Sequence, residues 1–429
     1  MMEGWQKVIL EDLGFVGRGK SRHRPRNAAF LYSDKYPFVQ TADVKSANNK
    51  ISKYSQMYSE EGLKQSKLWP KNTLCITIAA NIADAAILDL DACFPDSVIG
   101  FIPDSKKSDV QFVKYLFDIL QVSIKQISQG AAQDNLSLEK LRSINFLVPP
   151  LPTQRKIANI LSAYDDLIEN NLKRIKLLEE MAQITYEEWF VRMKFPGHET
   201  AVFDKETGLP EGWKKVKIKD IAVFQNGYAF YTKGYSNEGF PVIDLGNISE
   251  YSDLQISGNE KLISKELYDK SKKFQLKKND IVMAMTDVTS ALRILAKSGI
   301  IHKNDTYVLN QRVGMLRPAI KEIDYVFLYA LLNDPRLIGK MKAVSKGAVQ
   351  FYFNTKDIVN YVSFLPSKPI IIEFIKIYKP LIELRMKLKK ENQRLKEARD
   401  ILLPRLMTGM IDVDKMSESG FAGLGDEQD

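Results

Sequence analysis

An internal repeat constrains the fold of this 429-residue chain more than any other feature of its sequence. The segment EGWQKV at residues 3–8 returns as EGWKKV at residues 211–216, and Asp12 then corresponds to Asp220. Three more blocks recur in the same order: 37–39 with 241–243, 72–76 with 279–283, and 128–133 with 345–350, so that the offset between the copies starts at 208 and ends at 217. Four collinear blocks argue against chance, so the sequence predicts two homologous domains.

Each copy has the same predicted plan, in which a mixed α/β domain is followed by one long helix. Short β-rich runs are broken by Gly, Asn, Asp and Ser. The predicted strands are 36–40, 74–79 and 98–102 in the first copy and 241–245, 281–285 and 308–316 in the second. A compact helix follows in each copy, at 110–121 and 325–332. The fold class is therefore α+β.

Long helices are predicted at about residues 153–194, with Thr153 as the cap, and at about residues 370–403. Their core positions alternate spacings of four and three, which is the coiled-coil pattern. In the first helix these positions are Ile157, Leu161, Tyr164, Ile168, Asn171, Ile175, Leu178, Ala182, Thr185 and Trp189. In the second they are Ile377, Leu381, Leu384, Leu388, Glu391, Leu395, Ala398 and Leu402.

The two helices occupy equivalent places in the repeat, so we predict that they pair with each other as an antiparallel coiled coil. Asn171, a polar residue within the seam, is of the kind that fixes register. Homodimerisation through the same seam is the alternative. The two helices would be ~50–60 Å long. Two similar domains separated by such helices could bind two short half-sites on the same side of B-DNA, where equivalent positions recur every ~34 Å.

The composition permits an anionic partner and offers no metal site. The net charge is +9 and the isoelectric point about 9.1, as suits nucleic acid. Two cysteines, Cys75 and Cys93, cannot build a disulfide framework or a zinc site, and three histidines are scattered. We expect a cytoplasmic protein with no bound metal, because the sequence also has no signal pattern and no run of ~18 apolar residues.

The opening segment GFVGRGKSRHRPRN, residues 14–27, fits the phosphate-loop pattern G-x-x-x-x-G-K-[ST] and the methyl-donor pattern F-x-G-x-G. A phosphate loop needs a helix that starts at its lysine. Here Pro25 follows Ser21 by four residues, and the basic run contains no acid. We interpret the segment as a flexible, glycine-opened, cationic loop for phosphates or guanine edges. A solvated loop without a partner is the alternative.

The chain resembles the specificity subunits of type I restriction-modification enzymes over nearly its whole length. The strongest match is LVPPLPTQRKIANIL at 147–161, continued by DDLIENN at 165–171; Thr153 stands where the family often has Glu. In the second copy the proline-rich segment is eroded to LPSKP at 365–369. Gly4-Trp5 and PEGW at 210–213 resemble the family's domain openings, and LLPRLMTG at 402–409 resembles its C-terminal ending.

The resemblance implies a DNA-recognition subunit without catalysis of its own. It implies two target-recognition domains that read the halves of a split, asymmetric DNA target, and spacer helices that dock two methyltransferase subunits. Those partners would carry S-adenosylmethionine and methylate adenine, and separate restriction subunits would use ATP and Mg²⁺; this chain would hold no cofactor. The expected regions are 1–150 and 209–366 for the domains, 151–200 and 367–410 for the helices, and 411–429 for a disordered acidic tail.

Candidate DNA-binding residues come from both copies. In the first copy they are Arg18, Lys20, Arg22, Arg24 and Arg26 of the basic loop, with Gln129, Gly130 and Gln133 of the repeated Gly-Ala-x-Gln loop. In the second copy they are Gln225, Asn226, Tyr228, Asn310, Gln311, Arg312, Lys346, Gly347 and Gln350. Glutamine can read adenine bidentately. A simple domain-closing turn is the alternative for the repeated loop.

Two other classes of function compete with this interpretation. A coiled-coil scaffold that binds proteins would keep the heptads but would not need the basic loop. An ATPase or methyltransferase built on the opening motif would bind nucleotide or methyl donor alone. Neither alternative explains the repeat.

Overall fold

The computed structural model describes residues 4–47, 49–78, 83–127, 138–231, 234–256, 258–304 and 306–415. The chain divides into two compact units, and each long helix contributes one part to each unit. Unit 1 comprises Met1–Ile175 with Lys387–Asp429, and unit 2 comprises Lys176–Met386. No helix within the described ranges combines the length and the hydropathy that crossing a membrane requires.

The first copy contains eleven described strands and six described helices. The strands are β1 (Gln6–Val8), β2 (Gly14–Arg18), β3 (Tyr32–Phe38), β4 (Lys50–Ile51), β5 (Gln56–Tyr58), β6 (Leu68–Trp69), β7 (Leu74–Thr77), β8 (Ala85–Leu88), β9 (Ala92–Cys93), β10 (Val98–Pro103) and β11 (Phe146–Val148). The helices are α1 (Leu10–Leu13), α2 (Thr41–Ser46), α3 (Glu60–Lys64), α4 (Val110–Ile127), α5 (Leu138–Ser143) and α6 (Leu151–Phe190).

The second copy has the corresponding elements. Its described strands are β12 (Lys214–Lys217), β13 (Ala222–Asn226), β14 (Tyr235–Ser236), β15 (Phe240–Ile243), β16 (Leu262–Ile263), β17 (Ile281–Ala284), β18 (Thr286–Asp287), β19 (Ser298–Ile300), β20 (Val308–Leu309), β21 (Val313–Pro318), β22 (Phe351–Tyr352) and β23 (Val362–Leu365). The helices are α7 (Ile218–Ile221), α8 (Lys265–Lys270), α9 (Tyr325–Leu332), α10 (Pro335–Ala343), α11 (Thr355–Val359) and α12 (Lys368–Met407).

The strand pairing of the two units confirms the sequence repeat. Unit 1 has a sheet of order β2-β10-β7-β8-β4, and unit 2 has one of order β13-β21-β17-β19. A short outer pair, β1–β11, places Gln6 opposite Val148, and its counterpart β12–β23 places Lys214 opposite Leu365. These pairs are displaced by 208 and 217 residues, the offsets found at the two ends of the sequence repeat.

Each unit buries its own hydrophobic core. In unit 1 the fully buried side chains of Ile76 and Phe101 pack with Phe112 of α4 and with Leu161 of α6. In unit 2 the core joins strands β17 and β21 to α9 and to an aromatic group on the long helices that includes Phe190 and Phe374, whose rings lie 4.8 Å apart. The long helices are therefore part of the core of each unit.

The long helices pair antiparallel within each unit, as predicted. In unit 1 the Nδ2 of Asn392 donates to the carbonyl oxygen of Ile168 at 3.2 Å, while Arg399 pairs with Asp165 at 2.6 Å. Residue numbers rise along α6 in the direction in which they fall along α12, so the two helices run antiparallel. In unit 2 the rings of Trp189 and Phe374 lie 5.7 Å apart, and Arg385 lies 3.7 Å from Glu179, which is again antiparallel.

The predicted seam of α6 is largely confirmed. That of α12 is wrong by one residue at Ile377, Leu384 and Glu391, whereas its other predicted positions are buried or partly buried. In α6 only Tyr164 and Thr185 are displaced, since their neighbours Asp165 and Tyr186 are buried instead. In α12 Leu388 is buried as predicted, but Ile377 is 47% exposed and Leu384 is 38% exposed. Between residues 377 and 392, the buried positions of α12 are Tyr378, Ile382, Arg385, Leu388 and Asn392.

A physical reason accounts for the displaced seam of α12. Its buried face carries Arg385 and Asn392, and other elements supply hydrogen-bond partners for one donor of each: Arg385 Nη2 donates to the Tyr329 hydroxyl, and Asn392 Nδ2 donates to the Ile168 carbonyl. Buried polar groups of this kind are stable only when such partners exist. A seven-residue repeat pattern cannot recognise that condition, so the predicted seam contained the neighbouring residues Leu384 and Glu391 instead.

Two further predictions at the helix ends are corrected. The helix α6 begins at Leu151, so Thr153 lies inside it and does not cap it. The Thr153 hydroxyl donates to the Asp414 carboxylate at 2.8 Å, and Lys156 pairs with the same carboxylate at 2.6 Å. Residues 411–415, the start of the predicted tail, thus pack against α6, with Val413 buried. Residues 416–429 lie outside the described ranges.

Candidate nucleic-acid interface

The opening motif of unit 1 forms a strand rather than a phosphate-binding loop. Residues Gly14–Arg18 form β2, an edge strand whose Arg18 lies opposite Ile99 of β10. Residues 19–28 adopt turns and irregular structure, so no helix starts at Lys20 to present its amides to a phosphate. The Ser21 side chain is buried beside the Tyr58 hydroxyl, at 3.4 Å. The nucleotide-binding alternative is therefore wrong.

The basic loop is anchored at several points, which corrects the expectation of a flexible loop. The amide of Gly19 donates to Val98, and that of Lys20 donates to Phe94, at 2.9 and 3.0 Å. The side-chain oxygen of Gln65 accepts from the amides of Arg22 and His23. A Cβ on Gly19 would lie 2.3 Å from the Pro95 carbonyl oxygen, so only glycine fits there.

All five basic side chains of the loop are exposed, and three of them also bond to the protein. Arg26 pairs with the Asp96 carboxylate at 2.7 Å, and Arg18 Nε donates to the Asp96 carbonyl. Arg24 Nη1 donates to the carbonyls of Ser21 and His23, at 2.7 and 2.8 Å. The loop thus presents its cations from a defined backbone, with the charge of Arg26 compensated by Asp96.

An aromatic and cationic cluster beside this loop was not predicted. Lys67 Nζ lies 3.7 Å from the ring centroid of Trp69 and 4.7 Å from that of Phe15. Phe15 projects from β2 and is 53% exposed. Burial, with a smaller contribution from the charge of Lys20, lowers the pKa of Lys67. Phe15 is flanked by Gly14 and Val16, and a phenylalanine in such a setting is usually buried in a core. The sequence therefore contained no local signal that this side chain is exposed.

Unit 2 has the corresponding strand exit, with different side chains. A Cβ on Gly227, the counterpart of Gly19, would lie 1.9 Å from the Asn310 carbonyl oxygen. The backbone amide of Tyr228 donates to the carbonyl oxygen of Leu309, and the amide of Gln311 donates to the carbonyl oxygen of Tyr228, both at 2.9 Å. The structure therefore brings together two of the predicted segments of this copy, 225–228 and 310–312. Asn226, Tyr228, Gln311 and Arg312 are exposed.

The third predicted segment of unit 2, residues 346–350, is a hairpin beside the other two. Lys346 and Tyr352 exchange backbone hydrogen bonds at 2.8 and 2.9 Å, and Gly347 turns the chain with a φ of +110°. A Cβ on Gly347 would lie 2.0 Å from the Gln350 carbonyl oxygen. The glycine is thus explained by the turn itself, whereas Lys346 is exposed and free to face a partner molecule.

Direct contacts join these three segments into one surface of unit 2, which we call the rim. The backbone amide of Met285 donates to the carbonyl oxygen of Arg312 at 3.0 Å, and the amide of Phe353 donates to the carbonyl oxygen of Met285 at 3.4 Å. The Thr355 hydroxyl donates to the Asn226 side chain at 3.0 Å. The rim is therefore built by residues 225–228, 285–293, 310–312 and 346–355, of which 285–293 were not singled out by the sequence.

The remaining candidates of the first copy, Gln129, Gly130 and Gln133, lie outside the described residues. Within the described ranges, no group of three or more His, Cys, Asp and Glu side chains could hold a metal ion. At the rim of unit 2, the ring of Tyr228 packs against those of Phe230 and Phe274, with ring centroids 5.0 and 5.2 Å apart.

Comparison with known proteins places the chain in a family. The family model described as "Type I restriction modification DNA specificity domain" matches residues 2–180 and 210–396. The specificity subunit of the MjaIX type I restriction enzyme of Methanocaldococcus jannaschii is 26% identical over 425 residues, or 96% of this chain and 94% of that protein. The HindI specificity subunit of Haemophilus influenzae is 23% identical over 486 residues, covering 96% and 100%.

A solved structure supports the fold. The S subunit of a type I restriction-modification system from M. genitalium superposes with a TM-score of 0.62 at 17% identity, covering 94% of this chain and 96% of that one. At this identity the likeness concerns the architecture alone. The two matched segments of the family model correspond to the two copies of the repeat.

Proposed function

Because the chain belongs to the type I restriction-modification DNA specificity family, a non-catalytic, target-recognising class, we propose that it reads a bipartite, asymmetric DNA sequence and directs adenine methylation and cleavage by partner subunits. One observation carries the proposal. The two units share one scaffold but present different chemistry at the same strand exit: basic side chains after Gly19 and polar and aromatic ones after Gly227.

That difference bears on how each half of the target is read. Arginine and lysine bind phosphates without regard to sequence and fix the position of the protein, and arginine also binds guanine edges. Asparagine, glutamine and tyrosine read base edges through hydrogen bonds or stack on bases. One scaffold with two sets of contacts suits two unlike half-sites, which is what an asymmetric target requires.

The long helices offer a surface for the methyltransferase subunits. Three apolar side chains of α6, Leu177, Met181 and Ile184, are exposed on one face within unit 2, and Val191 directly after the helix is exposed as well. The opposite, buried face of the same stretch already packs through Leu178 and Ala182. Exposed apolar residues at this spacing favour a helical partner, and we propose that two methyltransferase subunits bind along the long helices.

The reactions belong to the partners in this proposal. S-adenosylmethionine is bound by the methyltransferase subunits, and ATP and Mg²⁺ by restriction subunits, so this chain itself holds no cofactor. The complex acts on double-stranded DNA in the cytoplasm. The contribution of this chain is selection: its two units set which adenines the methyltransferases reach.

The experiment that tests the proposal is genomic methylation mapping. The chain is co-expressed with its cognate methyltransferase subunit in a host that lacks the modification, and methylated adenines are located across the genome. The expected result is one split motif with a fixed gap and methylation on both strands. A matched culture that expresses the methyltransferase alone should give no such motif.

The opposite outcome is equally informative. If a soluble, assembled complex methylates no new sites, recognition of DNA is not the task of this chain in that complex, and a protein-binding scaffold becomes the better interpretation. Continuous methylation motifs instead of split ones would contradict the proposal that each unit recognises one half of the target.

A further inference from the structure

The hairpin between β17 and β19 in unit 2 is six residues longer than its counterpart in unit 1. Both hairpins close in the same way: the amide of Ala83 donates to Thr77, and the amide of Ala296 donates to Ala284, each at 2.9 Å. Both alanines have a φ of +63°. Five residues separate Thr77 from Ala83 in the sequence, whereas eleven separate Ala284 from Ala296. The six additional residues therefore lie within a turn that both copies of the repeat close in the same way.

The inserted segment is held in place by one buried carboxylate. Asp287 is 1% exposed, and its oxygens accept from the Thr289 amide, the Thr289 hydroxyl and the Ile294 amide, all at 2.8 Å. Burial alone would raise the pKa of Asp287, but these hydrogen bonds outweigh it and hold the pKa below its ordinary value. The carboxylate thus ties the start of the segment to its end.

The segment also belongs to the rim by direct pairing. Strand β18, which contains Asp287, pairs with β22, so that Thr286 lies opposite Tyr352 and Asp287 opposite Phe351. The same β22 closes the 346–350 hairpin. Residues 288–293 therefore follow directly after a strand that is paired with the end of the predicted 346–350 hairpin.

The outward side chains of the segment have the chemistry of DNA contacts. Val288 is 62% exposed, and Thr289, Ser290, Ala291 and Arg293 are exposed too, while Leu292 is partly buried against the core. The sequence VTSALR contains no acid. Hydroxyl groups and a guanidinium bind phosphates or base edges, and an apolar side chain can contact a thymine methyl group.

We propose that residues 288–293 are a further DNA-contacting segment of unit 2, with Arg293 as its cationic contact and Asp287 as the residue that positions it. The inference rests on the proposed function. The strands that the two units share form the common scaffold. The segments in which the two units differ would distinguish the two half-sites. The basic loop of unit 1 is replaced in unit 2 by polar and aromatic residues, and Arg293 adds an exposed cation to this unit.

Two variants test the segment. Arg293→Ala removes one exposed side chain and leaves the scaffold intact. Deletion of 288–293 shortens the hairpin to the length found in unit 1, leaving Asp287 next to Ile294. The matched control is Lys321→Ala, an exposed cation of unit 2 that follows the opposite end of β21 from the rim.

The measurements use the assembled complex with the methyltransferase, once the wild-type motif is mapped. Fluorescence anisotropy gives the affinity for a duplex carrying that motif at several salt concentrations, and genomic mapping gives the motif of each variant. Arg293→Ala is expected to weaken binding about tenfold. It should also either lower the salt slope by about one or relax positions in one half of the motif only. The deletion should weaken binding further.

The outcomes separate this inference from the proposed function. If both variants match the wild type within about twofold and keep its motif, residues 288–293 do not contact DNA, although the wild-type motif still supports recognition by the chain. If the wild-type complex methylates no split motif, the proposed function itself fails. An equal loss in Lys321→Ala would show a general effect of charge and would overturn the assignment to this segment.

Discussion

Arg399 of α12 forms an ion pair with Asp165 of α6, with 2.6 Å between Nη1 and Oδ1. The second oxygen of this carboxylate accepts a hydrogen bond from the Tyr115 hydroxyl of α4, also at 2.6 Å, and the Asp165 side chain is 4% exposed. Burial, followed by the charge of Asp165 and this hydrogen bond, raises the pKa of Tyr115. The group links both long helices to the α/β domain inside unit 1.

We expect Arg399→Met to lower the free energy of unfolding by about 3 kcal/mol, because it leaves the buried Asp165 carboxylate without its cation. Urea denaturation of the purified chain measures the change. Arg394→Met, at an exposed position of the same helix, is the control and should lie within about 0.5 kcal/mol of the wild type. A second change, Asp165→Leu, should restore part of the loss, because it removes the unpaired charge.

Arg24→Ala should weaken DNA binding and flatten its salt dependence by about one unit of slope, because each phosphate contact releases counterions. The measurement is a titration of target duplex over a range of salt concentrations. Lys106→Ala, an exposed cation that follows the opposite end of β10 from the basic loop, is the control. An unchanged slope for Arg24→Ala would remove this residue from the phosphate contacts.

Replacing Leu177, Met181 and Ile184 by glutamine should reduce co-purification of the methyltransferase subunit, because it removes the exposed apolar face of α6. The three side chains are more than half exposed, so the thermal unfolding midpoint should change little. Lys176→Gln with Glu180→Gln, at exposed polar positions of the same helix, provides the control. Normal assembly of the triple variant would place the partner elsewhere on the chain.

Cys75 and Cys93 should not react with a thiol reagent in the folded protein at about pH 8. Both are free and fully buried, and burial raises the pKa of both thiols. Absorbance with Ellman's reagent should therefore show no rapid reaction in buffer and two reactive thiols per chain in guanidinium chloride. Rapid labelling in buffer would indicate that the core strands β7 and β9 open readily.

The sequence proposed Gln225, Asn226 and Tyr228 and also the segment 310–312 as candidates in the second copy, and the structure brings these two groups together at the rim. The segment 285–293 was not among the candidates from sequence, because its place in the rim depends on the pairing of β18 with β22, more than sixty residues further along the chain. Phe15 was missed because an exposed phenylalanine and a buried one look alike in sequence.

The sequence by itself determined the repeat, the positions of the two long helices and the family. These properties follow from periodicity and from motifs, which are carried by neighbouring residues. Only the tertiary structure decided which face of α12 is buried, how the basic loop is anchored, and where the six additional residues of unit 2 emerge. The physical reason is that each depends on partners distant in sequence: Arg385 and Asn392 are buried because Tyr329 and Ile168 supply their hydrogen bonds.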